Sequence, residues 1–184
     1  NRDACAFAEM KDARAPGFGL QLFKFVLPLF PTADEEEKRL IKAACYLHDV
    51  SWRGHPDYRA EICFDNATRA NLGGLKHAER VFVGLSLMHR YRNQREGHKF
   101  ETLFSLLSQE QIRMAEILGK AMRLGAMMWV NKKETNAKLF WAPDAKALQL
   151  VLEGDAVSLY GEVAEARLKS LACAMNASFD FQAK

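Results

Sequence analysis

From Asn1 to Asn136 the apolar positions recur at helical spacing, interrupted by glycine, proline and runs of charge. Asn1 to Arg14 reads as a helix ended by Ala15-Pro16-Gly17. Phe18 to Phe30 is strongly apolar, with Leu20, Phe23 and Leu27 on one helical face and Pro28 and Pro31 closing it. Thr32 and Glu35 have the spacing of a capping box, which predicts a helix starting just after Thr32. Asp34 to Glu37 then fall in its first turn, where the helix dipole favours acids. Leu40, Ala44, Leu47 and His48 share one face of that helix.

Ser51 to Tyr58 contains Gly54 and Pro56 and reads as a loop. Helices are expected over Tyr58 to Ala70, which Asn71-Leu72-Gly73-Gly74 stops, and over Lys76 to Tyr91, with Val81, Leu85 and Met88 on a shared face. Arg92 to Lys99 is a polar connection, and Phe100 to Leu107 a short helix. Ser108 and Gln111 form a second capping box, opening a long helix that carries Ile112, Ala115, Leu118, Met122 and Trp129. After Asn136 the period changes. Lys138 to Ala142 and Ala147 to Leu152 read as two strands around Pro143-Asp144, closed by Gly154-Asp155. A final amphipathic helix carries Ala164, Leu168, Leu171 and Met175. The expected fold is mainly α, with a helical domain over 1–136 and a small strand-pair and helix appendage over 137–184.

Composition narrows the picture little. Apolar residues make up 49% of the 184, enough for a sizeable core. A net charge of +3 is too small to make nucleic acid a default partner, so any polyanion must be held by a local patch. The longest apolar run, Phe25 to Phe30, is far short of a membrane span, and no signal peptide is expected. Cys5, Cys45, Cys63 and Cys173 include no CxxC pair; Cys45 and Cys63 read as small core residues, and a reducing cytoplasm is the expected setting. The chain starts at Asn1 without Met, as a fragment or processed product would.

The first chemical candidate is His48-Asp49, at the end of the apolar helix segment Ala43 to Leu47. The dipeptide resembles that of the HD phosphohydrolase superfamily, where adjacent His and Asp help hold a divalent metal that activates water. Such a site also needs an earlier His and a later Asp. Residues 1–47 contain no His, and Gly125 and Ala126 stand where the later Asp should follow Met122-Arg123-Leu124. His55, His77 and His89 fit no metal-ligand spacing. His48 and Asp49 are therefore expected to be a degenerate pair, hydrogen-bonded in the core, with no metal. Met127, Met128 and Trp129 are read as core.

A second resemblance covers nearly the whole chain. Asp12 to Gly19 followed by Leu27-Pro28-Leu29-Phe30 is similar to the start of the C-terminal region of the exopolyphosphatase / guanosine pentaphosphate phosphohydrolase (Ppx/GppA) family. So are Ala43 to Val50, Asn71 to Leu75, His89 to Arg92, Leu118 to Leu124, Leu152 to Asp155 and Leu159 to Glu162, in that order. The resemblance implies an HD-like helical bundle that has lost metal chemistry. It also implies partners: two N-terminal actin-like catalytic domains, absent from this chain, that carry the phosphate loops and the Mg²⁺. In that family the C-terminal region packs on the catalytic domains, helps bind polyphosphate and contributes to a homodimer.

The clearest basic cluster lies between His89 and Lys99. Arg90, Arg92, Arg95 and Lys99 are the candidate polyphosphate-binding residues, with Arg53 and Arg59 as weaker members of the same surface. Guanidinium forks suit phosphate oxygens by both charge and geometry. The expectation is a substrate-binding and interface domain of a phosphoanhydride hydrolase acting on polyphosphate or guanosine pentaphosphate, inactive alone, with no catalytic residue and no cofactor of its own. Two alternatives are a free-standing metal-dependent HD phosphohydrolase and a pure interaction module.

Overall fold

The structure is a computed structural model that describes residues 2–69, 74–92, 100–128 and 136–184. Helix α1 (Arg2–Asp12) leads into an irregular segment in which Gly17 takes φ +86°, a left-handed conformation that a side chain would strain. Helix α2 (Phe18–Val26) follows. Its first free N–H groups are met from a distance: the buried Glu9 carboxylate of α1 accepts from the Gly19 amide at 2.5 Å. The helix expected to reach Phe30 stops at Val26 and tightens into a 3₁₀ turn, Leu27–Leu29. Pro28 sits inside that turn, where the N–H it lacks is not needed for an α-helical ladder.

Helix α3 (Glu35–Leu47) corrects the first capping assignment. The cap is Asp34, not Thr32: its carboxylate accepts from the Glu37 amide at 2.8 Å, and Glu37 accepts from the Asp34 amide at 3.0 Å. The same one-to-four spacing exists two residues later, and an aspartate caps as well as a hydroxyl. Helices α4 (Arg59–Arg69) and α5 (His77–Tyr91) follow. The short helix expected over Phe100 to Leu107 is one turn, α6 (Glu101–Phe104). Helix α7 (Gln109–Gly125) is capped by Ser108 and Gln111 as the spacing predicts, but it ends at Gly125; Trp129 lies outside the described residues.

The C-terminal part holds one more strand than expected. Strands β1 (Ala137–Ala142) and β2 (Ala147–Leu152) form the antiparallel pair, with Leu139 opposite Leu150. Gly154 then opens a 3₁₀ helix, Gly154–Leu159, and α8 (Glu162–Met175) carries the chain back. Strand β3 (Ser178–Ala183) runs parallel to β2 on its free edge, giving the order β1-β2-β3. A helical crossover is what parallel neighbours require.

Helix α5 is the central element, lying between α4 and α7 and touching α3. Val81, Leu85 and Met88 on its inner face are fully buried. Helix α7 approaches it closely at Gly119, where a Cβ would stand 2.4 Å from both the Ser86 carbonyl and the His89 Cβ. Helix α8 packs on α7 with Ala164, Leu168 and Leu171 buried, and β1 packs on α2 and its 3₁₀ turn. A single apolar cluster therefore runs from Cys5 through the helices to Leu148, Leu150 and Leu152. Cys45 and Cys63 are buried in it, as expected. Among the described residues no helix is long and apolar enough to cross a membrane.

Candidate anion-binding site

The site begins where α3 ends. His48 caps α3 and Asp49 follows, both almost fully buried. The His48 ring donates from Nδ1 to the Cys45 carbonyl at 2.9 Å and meets Phe18 edge-on. Burial, reinforced by the positive charge of Arg90, pushes its pKa down to about 4, so the ring is neutral near pH 7. Asp49 is gripped by Arg14: the backbone amide and Nε reach Oδ2 at 3.2 and 2.9 Å, and Nη2 reaches Oδ1 at 2.5 Å. Burial alone would raise this carboxyl, but the Arg14 hydrogen bonds and neighbouring positive charge hold it below its usual value. Both oxygens of Asp49 thus accept hydrogen bonds from Arg14. Among the described residues, no group of three or more His, Cys, Asp or Glu side chains is placed to hold one.

Four more arginines converge on the same place, each from a different helix. Arg59, the first residue of α4, donates from Nε and Nη2 to the Gly54 carbonyl and lies over the Tyr91 ring. Arg90 of α5 stacks on Tyr91 at 4.6 Å, and the Tyr91 hydroxyl donates to the His48 carbonyl. The close approach of α7 at Gly119 brings Arg123, one turn further on, beside Arg90. Arg167 of α8 donates from Nη1 to the Arg123 carbonyl at 3.1 Å.

Together Arg14, Arg59, Arg90, Arg123 and Arg167 line a cavity of about 260 Å³ with Tyr91, Ala126 and Met127; among the described residues no acidic side chain lines it. Arg90 is only 9% exposed, and its Nε is buried without a hydrogen-bond partner among the described residues. Burial lowers the pKa of Arg123, and the charge of Arg90 lowers it further. Arg167 is lowered by burial and then by Arg123 and Arg90. Like charges have thus been brought together in a partly desolvated place, and an anion there would relieve both penalties. A second cavity of about 300 Å³ shares Arg123 and Arg167 and is lined also by Lys120, Ser170 and the acid Glu162; Lys120 is paired with Glu116 at 2.7 Å.

Comparison with known proteins agrees with this architecture. The family model for exopolyphosphatase, C-terminal, matches residues 10–181. The chain belongs to that family. No curated protein matches it.

In this exopolyphosphatase C-terminal domain the candidates named from the sequence separate. Arg59 and Arg90 line the cavity. Arg53 is exposed, stacked on Trp52 at 4.7 Å, and does not line it. Arg92 turns toward α4, with Nη1 4.0 Å from Glu61 and Nη2 3.4 Å from the Asp57 carbonyl. Arg95 and Lys99 lie outside the described residues. Sequence reasoning missed Arg14, Arg123 and Arg167, which stand singly in the chain. Arg123 did carry a signal: it lies between the fully buried Met122 and Leu124, where a cation calls for a reason.

Proposed function

We propose that this chain is the phosphate-chain-binding domain of an exopolyphosphatase-type hydrolase, and that the arginine cavity holds the polyanion. The observation that carries the reading is the convergence of five arginines from five segments on one cavity, with no acid in its lining among the described residues. Each guanidinium presents donors in a planar fork that matches phosphate oxygens. The adjoining α7–α8 groove gives a longer chain room to continue past Lys120. Polyphosphate or guanosine pentaphosphate would both satisfy this chemistry.

Hydrolysis would belong to catalytic domains elsewhere in the parent protein, with Mg²⁺ bound there; those domains, and a second copy of the chain, are the proposed protein partners. His48 and Asp49 serve the cavity and hold no metal. Alone, the chain would release no phosphate from either substrate. The reading places the protein in the cytoplasm.

Titrating the chain with tripolyphosphate and with long-chain polyphosphate tests the reading. Binding should weaken steeply between about 0.05 and 0.3 M salt, because exposed charges are screened over about 8 Å at physiological ionic strength. Long chains should bind more tightly than tripolyphosphate, and Arg90→Gln should weaken both. Binding that ignores salt and Arg90, or phosphate release that His48→Ala abolishes, would overturn it.

A further inference from the structure

We propose that Asp49 is a positioning residue for anion capture: it holds the Arg14 guanidinium in the wall of the arginine cavity. The inference rests on the phosphate-binding reading of that cavity.

The geometry is specific. Arg14 lies in the irregular segment after α1, where no helical ladder restrains it. Its side chain is 53% exposed, whereas that of Asp49 is 5% exposed, so the fixed partner is the carboxylate. Three contacts with Asp49 set the arginine in place, its backbone amide, Nε and Nη2 all meeting the two carboxylate oxygens, while the guanidinium lies over the Trp52 ring at 5.6 Å. A guanidinium has five N–H donors in one plane. Two of them face Asp49, and the rest remain for a ligand in the cavity that Arg14 lines. Without Asp49, a long side chain on an irregular segment would spread over many rotamers, and an anion would bear the entropy of ordering it.

The other anchors in the wall are of a different kind. Arg59 is held by the Gly54 carbonyl and Arg167 by the Arg123 carbonyl, both neutral. Asp49 alone among these anchors carries a full charge, and that gives the proposal a sign. A carboxylate near a phosphate site opposes the ligand through its field, so deleting the charge would by itself tighten binding. Positioning predicts the opposite: deleting the charge releases Arg14 and weakens binding.

The test measures the affinity of the whole chain for tripolyphosphate at low salt, with chelator present, by calorimetry. Asp49→Asn should weaken binding about tenfold, as should Arg14→Gln, and the double variant should be within about twofold of either, because contacting partners couple. Asp49→Glu, which keeps a carboxylate, should recover part of the loss. Tighter or unchanged binding in Asp49→Asn, or additive losses in the double variant, overturns the proposal. If Asp49→Asn does not fold, Arg14→Lys asks the same question: it keeps the charge and lacks the fork, so a loss near that of Arg14→Gln supports positioning and wild-type affinity overturns it. Arg90→Gln separates the two levels. If it weakens binding while Asp49→Asn does not, only the positioning role falls; if neither it nor Arg14→Gln changes binding, the cavity reading falls as well.

Discussion

Two groups of cations in this molecule differ in how the fold surrounds them. At the α3–α5 surface, Lys38 pairs with Glu35 at 2.8 Å, and Arg39 meets Glu36 and Glu79, each at 2.7 Å, with the Gly74 carbonyl beside them. Both of these cations have a carboxylate partner. In the cavity, five arginines face one another, and Asp49 sits behind Arg14; among the described residues no acid is part of the lining. The first arrangement is nearly neutral and faces water. The second gathers five guanidinium groups where part of the solvent has been removed. The surroundings of a cation, more than its neighbours in the chain, distinguish the two places.

The largest expected effect comes from neutralising the cavity. Replacing Arg90, Arg123 and Arg167 together with Gln should cost tripolyphosphate binding at least about a hundredfold, since each charge-assisted hydrogen bond contributes about 1.5–3 kcal/mol. Replacing Lys38 and Arg39 with Gln should leave the affinity within about twofold. Equal losses from the two sets would erase the distinction between the regions.

Acid should also separate them. His48 is buried neutral behind the cavity, facing Arg90, Arg14 and Asp49, with a pKa near 4 against an ordinary 6.5. Its folded pKa is depressed, so the unfolded chain binds the proton more readily. The associated stability is complete above pH 6.5 and is lost as pH falls from there to about 4. By linkage this amounts to about 3 kcal/mol. Urea unfolding at a series of pH values should show that loss in the wild type and a flatter profile in His48→Gln. Identical profiles would mean that His48 is not the group being charged.

Gly119→Ala probes the geometry that brings Arg90 and Arg123 together. A Cβ there collides with backbone as well as side chain. The expected cost is about 1–3 kcal/mol, accompanied by weaker anion binding as α7 moves off α5. A variant with lower stability and unchanged affinity would show that the cavity tolerates a wider helix spacing. The smallest effects belong to the α3 surface. Asp34→Ala should cost about 1 kcal/mol through the lost cap, and Arg39→Gln less than about 1 kcal/mol. Thr32→Ala should be silent in the same thermal melts.

What the sequence disclosed follows from which forces are local. Helical periodicity located α3, α5 and α7 because each must bury one face, and Ser108-Gln111 marked its helix start correctly. Thr32-Glu35 misled because Asp34-Glu37 offers the same pairing two residues on. Strand β3 was overlooked although Phe179 and Phe181 alternate with Ser178 and Asp180. Its partner β2 lies across α8, and nothing local announces a parallel neighbour. The cavity was half legible. Arg90 and Arg59 drew notice through their neighbours in the chain, whereas Arg14, Arg123 and Arg167 meet them only after α1, α7 and α8 have docked.

That dispersal also governs when the cavity comes into being. Its five arginines are spaced from near the beginning of the chain to near its end, and no two come from the same element. During synthesis Arg14 emerges first and Arg167 last, so a nascent chain that has formed α1 to α7 still lacks one wall. Contacts this distant in sequence form late, after the loops between them have closed. On the proposed reading, anion binding at this place would require all five segments to have docked, and a bound polyanion would hold the segment after α1 and helix α8 together against unfolding.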